Sequence, residues 1–259
     1  MSYLDELFSL KGKVAAVIGG GGVLASAMAH GLARAGADVA ILDLNRDNAE
    51  KVAESIRSTG VRSLAIAVDA TSKQGLQQAE KKIASELGPT SILINAPGIN
   101  SSTPFFEITV EEWQKIMDVN LKSIFLACQS FGKKMVEAGN GGSIINISSA
   151  SSGPPLSKVF TYSISKAGVN NLTQFLAREW AKARVRVNAI VPGFFPAEQN
   201  RKILTEERVR DIMRHTPMDR FGEAEELIGA VVWLASENAS SFVTGALIRV
   251  DGGFTAMTI

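Results

Sequence analysis

Tyr162 and Lys166 stand four residues apart in a stretch with helical periodicity, and Ser149 lies thirteen residues before the tyrosine. Side chains four apart share one face of a helix, so the phenol and the ammonium are neighbours. A free phenol titrates near pH ~10 and offers little phenolate at neutral pH. An ammonium beside it favours the phenolate and moves proton transfer toward working pH. A serine just past the preceding strand supplies a hydrogen-bond donor for a carbonyl oxygen. These three residue types suit proton transfer at the oxygen of a small-molecule carbonyl or alcohol. A tyrosine and a lysine at this spacing, taken alone, are more often a surface pair, so the reading needs a second signal.

That signal lies near the start of the chain, where Gly19-Gly20-Gly21-Gly22-Val23-Leu24-Ala25 joins an apolar run to a helical stretch. Gly20-x-Gly22-x-x-Ala25 fits the dinucleotide-binding pattern in its required strand–turn–helix setting. Glycines permit a tight turn and let backbone N–H groups approach a pyrophosphate at a helix N-terminus. Asp43 ends the next apolar run, at the distance where a carboxylate bonds adenosine ribose hydroxyls. It would repel a 2′-phosphate, so NAD(H) is expected over NADP(H), with Arg46 close enough to soften the preference. Asp69-Ala70 and Asn95-Ala96-Pro97-Gly98 close the third and fourth runs, where open α/β sheets bind ligands. Asp69 suits the adenine amino group; Asn95 suits either a brace across the sheet or the cofactor wall. Turn chemistry explains both nearly as well.

The elements that must hold these groups alternate in type. Short apolar runs at 13–18, 38–42, 63–68, 91–94, 143–147, 185–191 and 246–250 are separated by helical patterns at 23–35, 47–58, 72–87, 110–137, 162–182 and 223–235. The runs are nearly continuous in apolar residues, as in strands buried on both faces. The pattern predicts one α/β domain over 1–259, a Rossmann-type doubly wound parallel sheet of about seven strands with helices on both faces. The polar segment 192–217, with a short helix at 205–213, breaks the rhythm and is a candidate substrate lid.

Composition narrows the partners. The chain has 259 residues and a net charge of +1, which gives no electrostatic case for nucleic acid or an acidic membrane. No apolar stretch is long enough to span a membrane. The first residues are acidic where a secretory leader is basic, so a cytoplasmic protein is expected. Cys128, the single cysteine, reads as a packed core thiol, and two distant histidines make no metal site.

The set Asn120, Ser149, Tyr162-Ser163-Ile164-Ser165-Lys166, Val191-Pro192-Gly193 and Val250-Asp251-Gly252-Gly253-Phe254, together with Asn95-Ala96-x-Gly98, resembles the short-chain dehydrogenase/reductase family over essentially the whole chain. The resemblance implies that Tyr162 is the general acid in reduction and base in oxidation. It implies that Ser149, rather than its neighbour Ser148, polarises the carbonyl. Lys166 would lower the tyrosine pKa and hold the nicotinamide ribose, and Asn120 would support a water in a relay to Lys166. Val119 would border adenine, and Ile190, Pro192, Gly193 and Phe195 the nicotinamide side, with loop anchoring an equal role for Phe194 and Phe195. Gly19, Gly21, Gly22, Val23 and Leu24 would line the pyrophosphate. Val23 and Ala25 occupy positions where the family usually has glycine, and Val23 disfavours positive φ. The family usually forms homotetramers, which is the expectation here.

Within the family, 193–201, 215–222 and 240–245 are similar to members that interconvert D-mannonate and D-fructuronate. Arg201, Gln199 and Asn200 would then contact the substrate, Arg201 binding its carboxylate and Lys158 serving as a second cation. His215 suits a helix end. Other readings are a gluconate or other polyol dehydrogenase, a 3-oxoacyl-carrier-protein reductase and, in a different class, a nucleotide-binding protein without turnover.

Overall fold

The apolar runs form strands because the sheet's interior offers them no face toward water. The structure is a computed structural model that describes residues 2–196 and 205–257. In chain order, β1 (Val14–Ile18), β2 (Asp38–Asp43), β3 (Ser63–Ala67), β4 (Ile92–Asn95), β5 (Gly142–Ile147), β6 (Val185–Pro192) and β7 (Leu247–Val250) make one seven-stranded sheet. Every pairing is parallel, in the order β3-β2-β1-β4-β5-β6-β7. The inner strands β1, β4 and β6 are buried along their whole length, whereas the edges β3 and β7 are mostly half-buried.

Successive side chains along β1 serve two cores, as the period of two requires. Ala15 and Val17 pack with Met28 and Leu32 of α2 (Val23–Arg34), Ile56 of α3 (Arg46–Arg57) and a later helix carrying Val231 and Leu234. Val14, Ala16 and Ile18 pack on the opposite face with Leu76 and Ile83 of α4 (Lys73–Glu86). Ile124 and Phe131 of the helix over 110–138 (α5) and Val169 of α6 (Phe160–Trp180) complete that face. Fully burying each large aliphatic side chain contributes about 1.5–3 kcal/mol. The chain winds outward from β1 to β3, then returns to lay β4 on the other side of β1. At that reversal the helices that follow β1 and β4 lie on opposite faces of the sheet, and a crevice opens at the carboxyl edge.

Several features depart from the sequence expectation. The helix α1 (Tyr3–Phe8) was not expected; Ser2 and Asp5 form its capping box. The carbonyls of Leu7 and Glu6 accept from Ser236 and from Asn238 of the late helix Glu237–Ser240, so α1 is held by tertiary contacts rather than by periodicity. The helix α5 is interrupted by π-helical turns at Asp118–Lys122 and Cys128–Gly132, and the first carries Asn120. The helix expected at 223–235 begins as a tighter turn, Ala224–Leu227, before α-helical Ile228–Ala235. The segment at 205–213 is helical over Glu206–Arg214 (α7), capped by the Thr205 side chain. Among the described residues no helix is long and apolar enough to cross a membrane.

Candidate active site

The crevice is a cleft of about 650 Å³. One wall starts where β1 ends, at Gly19, whose φ of 73° is a left-handed conformation suited to glycine. A Cβ there would stand 3.0 Å from the Ala96 backbone and the Pro97 nitrogen, so the loops after β1 and β4 touch at this point. Gly22 precedes α2 with no capping side chain, which leaves the first N–H groups of that helix without a side-chain acceptor. Val23 is the first helical residue and is 57% exposed. The strain expected from a valine in a glycine position is absent, because Gly19 takes the positive φ. Asp43 ends β2 beside this loop: its carboxylate accepts the Gly21 N–H at 3.0 Å and the Asn45 N–H at 2.9 Å.

The opposite wall carries the polar chemistry. Ser149 follows β5 in extended conformation, and Tyr162 and Lys166 lie one turn apart in α6. All three border the cleft. Ser149 Oγ accepts from the Ser151 N–H at 3.2 Å and lies 3.1 Å from the Ser151 hydroxyl, which also donates to it. The Ser149 hydroxyl is also near enough to the Tyr162 phenol to hold its pKa down against burial. Ser148, by contrast, is buried and donates to the Lys166 carbonyl at 3.3 Å, which makes it a strand-to-helix tie. Lys166 Nζ donates to the Ile147 carbonyl at 2.7 Å, so β5 fixes the ammonium.

Burial governs the titration of both groups. It pulls the Lys166 ammonium down to about 8. It pushes the Tyr162 phenol above its ordinary value, opposed by the Ser149 hydrogen bond. Lys166 is expected to lower the tyrosine pKa; in the resting site desolvation dominates and the phenol stays above its ordinary value, with the ammonium 5.7 Å from the ring centroid.

Asn120 lies just beneath the cleft. Its Oδ1 accepts the Ile99 N–H at 2.8 Å, and its Nδ2 donates to the Ile99 carbonyl at 2.9 Å and to Ser165 Oγ at 3.0 Å. It thus ties the segment after β4 to α6. A Cβ on Gly98 would stand 3.7 Å from Lys166 Nζ and 3.8 Å from Asn120 Oδ1. The missing side chain leaves a point that both groups face.

Of the expected cofactor residues, Gly19, Gly22, Val23, Leu24, Ala96, Pro192, Gly193 and Phe195 border the cleft with Tyr162 and Lys166. Gly21 and Asp43 sit behind the glycine turn, joined by their own hydrogen bond. Asn95 is fully buried and donates to Asn146 Oδ1 at 2.8 Å, and Asn146 continues to Thr173. Its side chain is therefore a brace across β4, β5 and α6, not a cleft group. Asp69 is exposed and holds Thr71 in a turn; with Ala70, Pro97 and Val119 it lies off the cleft wall. Phe195 packs over Gly222 and Phe194 stacks edge-on with Phe254 at 5.2 Å, so both anchor the loop while bordering the cleft. His215 closes α7 through the Asp211 carbonyl. Lys158 is exposed, at a φ of 70°, and off the cleft wall. Gln199, Asn200 and Arg201 lie outside the described residues. The wall also holds Arg208 of α7, which the sequence does not single out; a cation in the first turn of a helix was the available signal.

The family described as enoyl-(acyl carrier protein) reductase, of the short-chain dehydrogenase/reductase type, matches residues 22–255. The uncharacterized oxidoreductase UxuB of Bacillus subtilis is 38% identical over 96% of this chain and 96% of its own. The 2-dehydro-3-deoxy-D-gluconate 5-dehydrogenase of Escherichia coli is 36% identical over 96% and 98%. Among solved structures, a proposed D-mannonate oxidoreductase from Haemophilus influenzae with bound NAD has a TM-score of 0.93 at 34% identity, covering 98% of this chain and 99% of that one. A gluconate 5-dehydrogenase from Burkholderia cenocepacia in complex with NADP and tartrate also has a TM-score of 0.93, at 31% identity over 99% and 100%. With its doubly wound sheet, glycine turn and the Ser149, Tyr162 and Lys166 cluster, the chain belongs to the short-chain dehydrogenase/reductase family of oxidoreductases that act on CH–OH groups.

Proposed function

We propose that the protein is an NAD(H)-dependent oxidoreductase that interconverts a sugar acid and its keto form. The observation that carries this reading is the convergence of Ser149, Tyr162 and Lys166 on the cleft into which the start of α2 opens. The residues fit a nicotinamide dinucleotide. The open N-terminus of α2 suits a pyrophosphate, and the Asp43 carboxylate at the end of β2 suits a ribose diol and repels a 2′-phosphate. When bound, that cofactor supplies or accepts the hydride.

The chain supplies the proton and the alignment. In reduction Tyr162 donates its hydroxyl proton to the carbonyl oxygen as the carbon gains hydride; in oxidation the phenolate takes it back. Ser149 has two donations from Ser151 on its oxygen, which directs its own proton outward toward the phenol or a carbonyl. The Lys166 ammonium, charged below about pH 8, lies where it stabilises the phenolate left after transfer. Asn120 holds the segment at Ile99 and keeps open the point near Gly98 through which Lys166 exchanges protons. The raised phenol favours the acid form, so oxidation should rise with pH and reduction should fall at high pH.

Two sugar-acid substrates have specific support. The likeness of 193–201 and 215–222, and the Haemophilus neighbour, favour D-mannonate and D-fructuronate. The Escherichia and Burkholderia relatives favour a gluconate-type substrate. NADH oxidation against D-fructuronate, 5-ketogluconate, neutral ketoses and an acetoacetyl thioester separates these from a carrier-protein reductase. Tyr162→Phe should lower turnover by roughly 10²–10⁴ while NADH binding persists; retained turnover overturns the mechanism. We further propose a homotetramer formed through α5, α6 and β7. Phe105, Phe106 and Phe160 form an exposed aromatic cluster beside α5 and α6, and a monomer mass in light scattering refutes the assembly.

A further inference from the structure

Tyr162 and Ser149 mark where a carbonyl reacts, but neither distinguishes a keto acid from a neutral ketose. The residues bordering the cleft include two cations, Lys166 and Arg208, and no aspartate or glutamate among those described. Lys166 is buried and committed to the Ile147 carbonyl. Arg208 is more accessible and keeps more donors free. It is half-buried on α7 and borders the cleft. Its Nη1 donates to Ser157 Oγ at 2.9 Å, and among the described residues no carboxylate lies within ion-pair distance of it. Arg210, two residues on, does reach an acid, Glu206.

Its place in the helix is also unfavourable to it. Thr205 caps α7 by accepting the Arg208 backbone N–H, and Glu206 and Glu207 complement the positive end of the helix dipole. A guanidinium in that same turn opposes the dipole. A cation placed against the dipole, with no acidic partner among the described residues and on a cleft wall whose described residues carry no acid, can have its electrostatics completed by an anion from solution. Ser157 takes one donor; the remaining N–H groups can form the fork that matches a carboxylate in two parallel hydrogen bonds.

We propose that Arg208 binds the carboxylate of the substrate, a polyhydroxy monocarboxylate, and thereby sets which carbon meets Tyr162. The assignment rests on the hydride-transfer reading of the same cleft. The Ser157 contact makes the loop before α6 part of the subsite, so Ser157→Ala should weaken acid selectivity in the same direction and less.

The test compares an acid with its neutral counterpart on the NADH-loaded enzyme, where an alcohol ligand has no hydride acceptor. Calorimetric titration with D-gluconate and with D-glucitol should show tighter binding of the acid by wild type. Arg208→Met should erase most of that difference, a loss of about 10–100-fold for the acid, with Arg208→Lys intermediate and the NADH affinity of all three alike. In turnover, Arg208→Met should raise KM for 5-ketogluconate or D-fructuronate at least tenfold more than for D-fructose. Equal losses on acid and neutral ligand, or no loss, overturn the assignment and leave hydride transfer standing. Arg208-dependent gluconate binding in an enzyme that reduces no carbonyl on the panel does the reverse: it upholds the carboxylate subsite and overturns the hydride-transfer reading.

Discussion

Replacing Lys166 by methionine removes an ammonium that the fold holds 3% exposed and that burial has pulled down to about 8. In the unfolded chain the same lysine titrates near ~10.4. Below about pH 8 the group is charged in both states, and the full cost of burying the charge is present. Between the two values the folded protein has released the proton and the unfolded chain has not. The unfolded state then binds more protons, so stability rises with pH across that window. The gap corresponds to about 3 kcal/mol in total, of which about 2 kcal/mol is recovered between pH ~7 and ~9.5. Lys166→Met lacks this titration. It also loses the hydrogen bond to the Ile147 carbonyl, but that loss is constant with pH and shifts the curve without tilting it. The assay is urea unfolding of wild type and variant at both pH values. The difference in unfolding free energy should move by about 2 kcal/mol in favour of wild type at the higher pH, equivalent to roughly 4–8 °C in Tm for a chain of this size. The other ionisable groups are common to both proteins, and the Tyr162 phenol, pushed above its ordinary value by burial, stays protonated across this window. Parallel pH profiles would refute the premise that the cleft holds a desolvated ammonium.

Three further outcomes follow from single contacts. Asp43→Ala should shift the NADH-to-NADPH preference toward NADPH by about tenfold or more, since a carboxylate beside the glycine turn repels a 2′-phosphate; unchanged kcat/KM ratios would remove Asp43 from cofactor choice. Gly21→Ala places a Cβ 2.8 Å from Asn48 Cβ and 2.9 Å from Asp43 Oδ2, so it should cost about 1–3 kcal/mol in unfolding and weaken NADH binding together. The Cys128 thiol is buried and pushed up to about 12, so a thiol reagent at neutral pH should label it only after denaturation; rapid labelling of native enzyme would contradict the packing of α5.

What the sequence makes legible, and what it hides, follows from the range over which each feature is determined. The strands can be read because burial on both faces removes polar residues from consecutive positions, and the pairing of Tyr162 with Lys166 because one helical turn brings them together without help from the rest of the fold. Asn95 shows the limit: a strand-end asparagine fits a cofactor wall or a brace equally well, and only Asn146 and Thr173, on β5 and α6, decide for the brace. The same applies to Val23, where a family-sized slot for glycine implies strain, yet the turn moves its positive φ four residues earlier to Gly19. It also applies to the tyrosine pKa, since spacing places Lys166 near the phenol but cannot reveal how far burial desolvates the phenol. Arg208 is the strongest case. Its helix can be anticipated at 205–213, but nothing local tells a solvated arginine from one that closes a cleft built by β1, β4, β5 and α6. The one local trace is its position against the helix dipole, a small penalty that no ion pair among the described residues offsets. Such penalties are where a ligand-binding charge can leave a mark in sequence, because the partner that offsets them is not part of the chain.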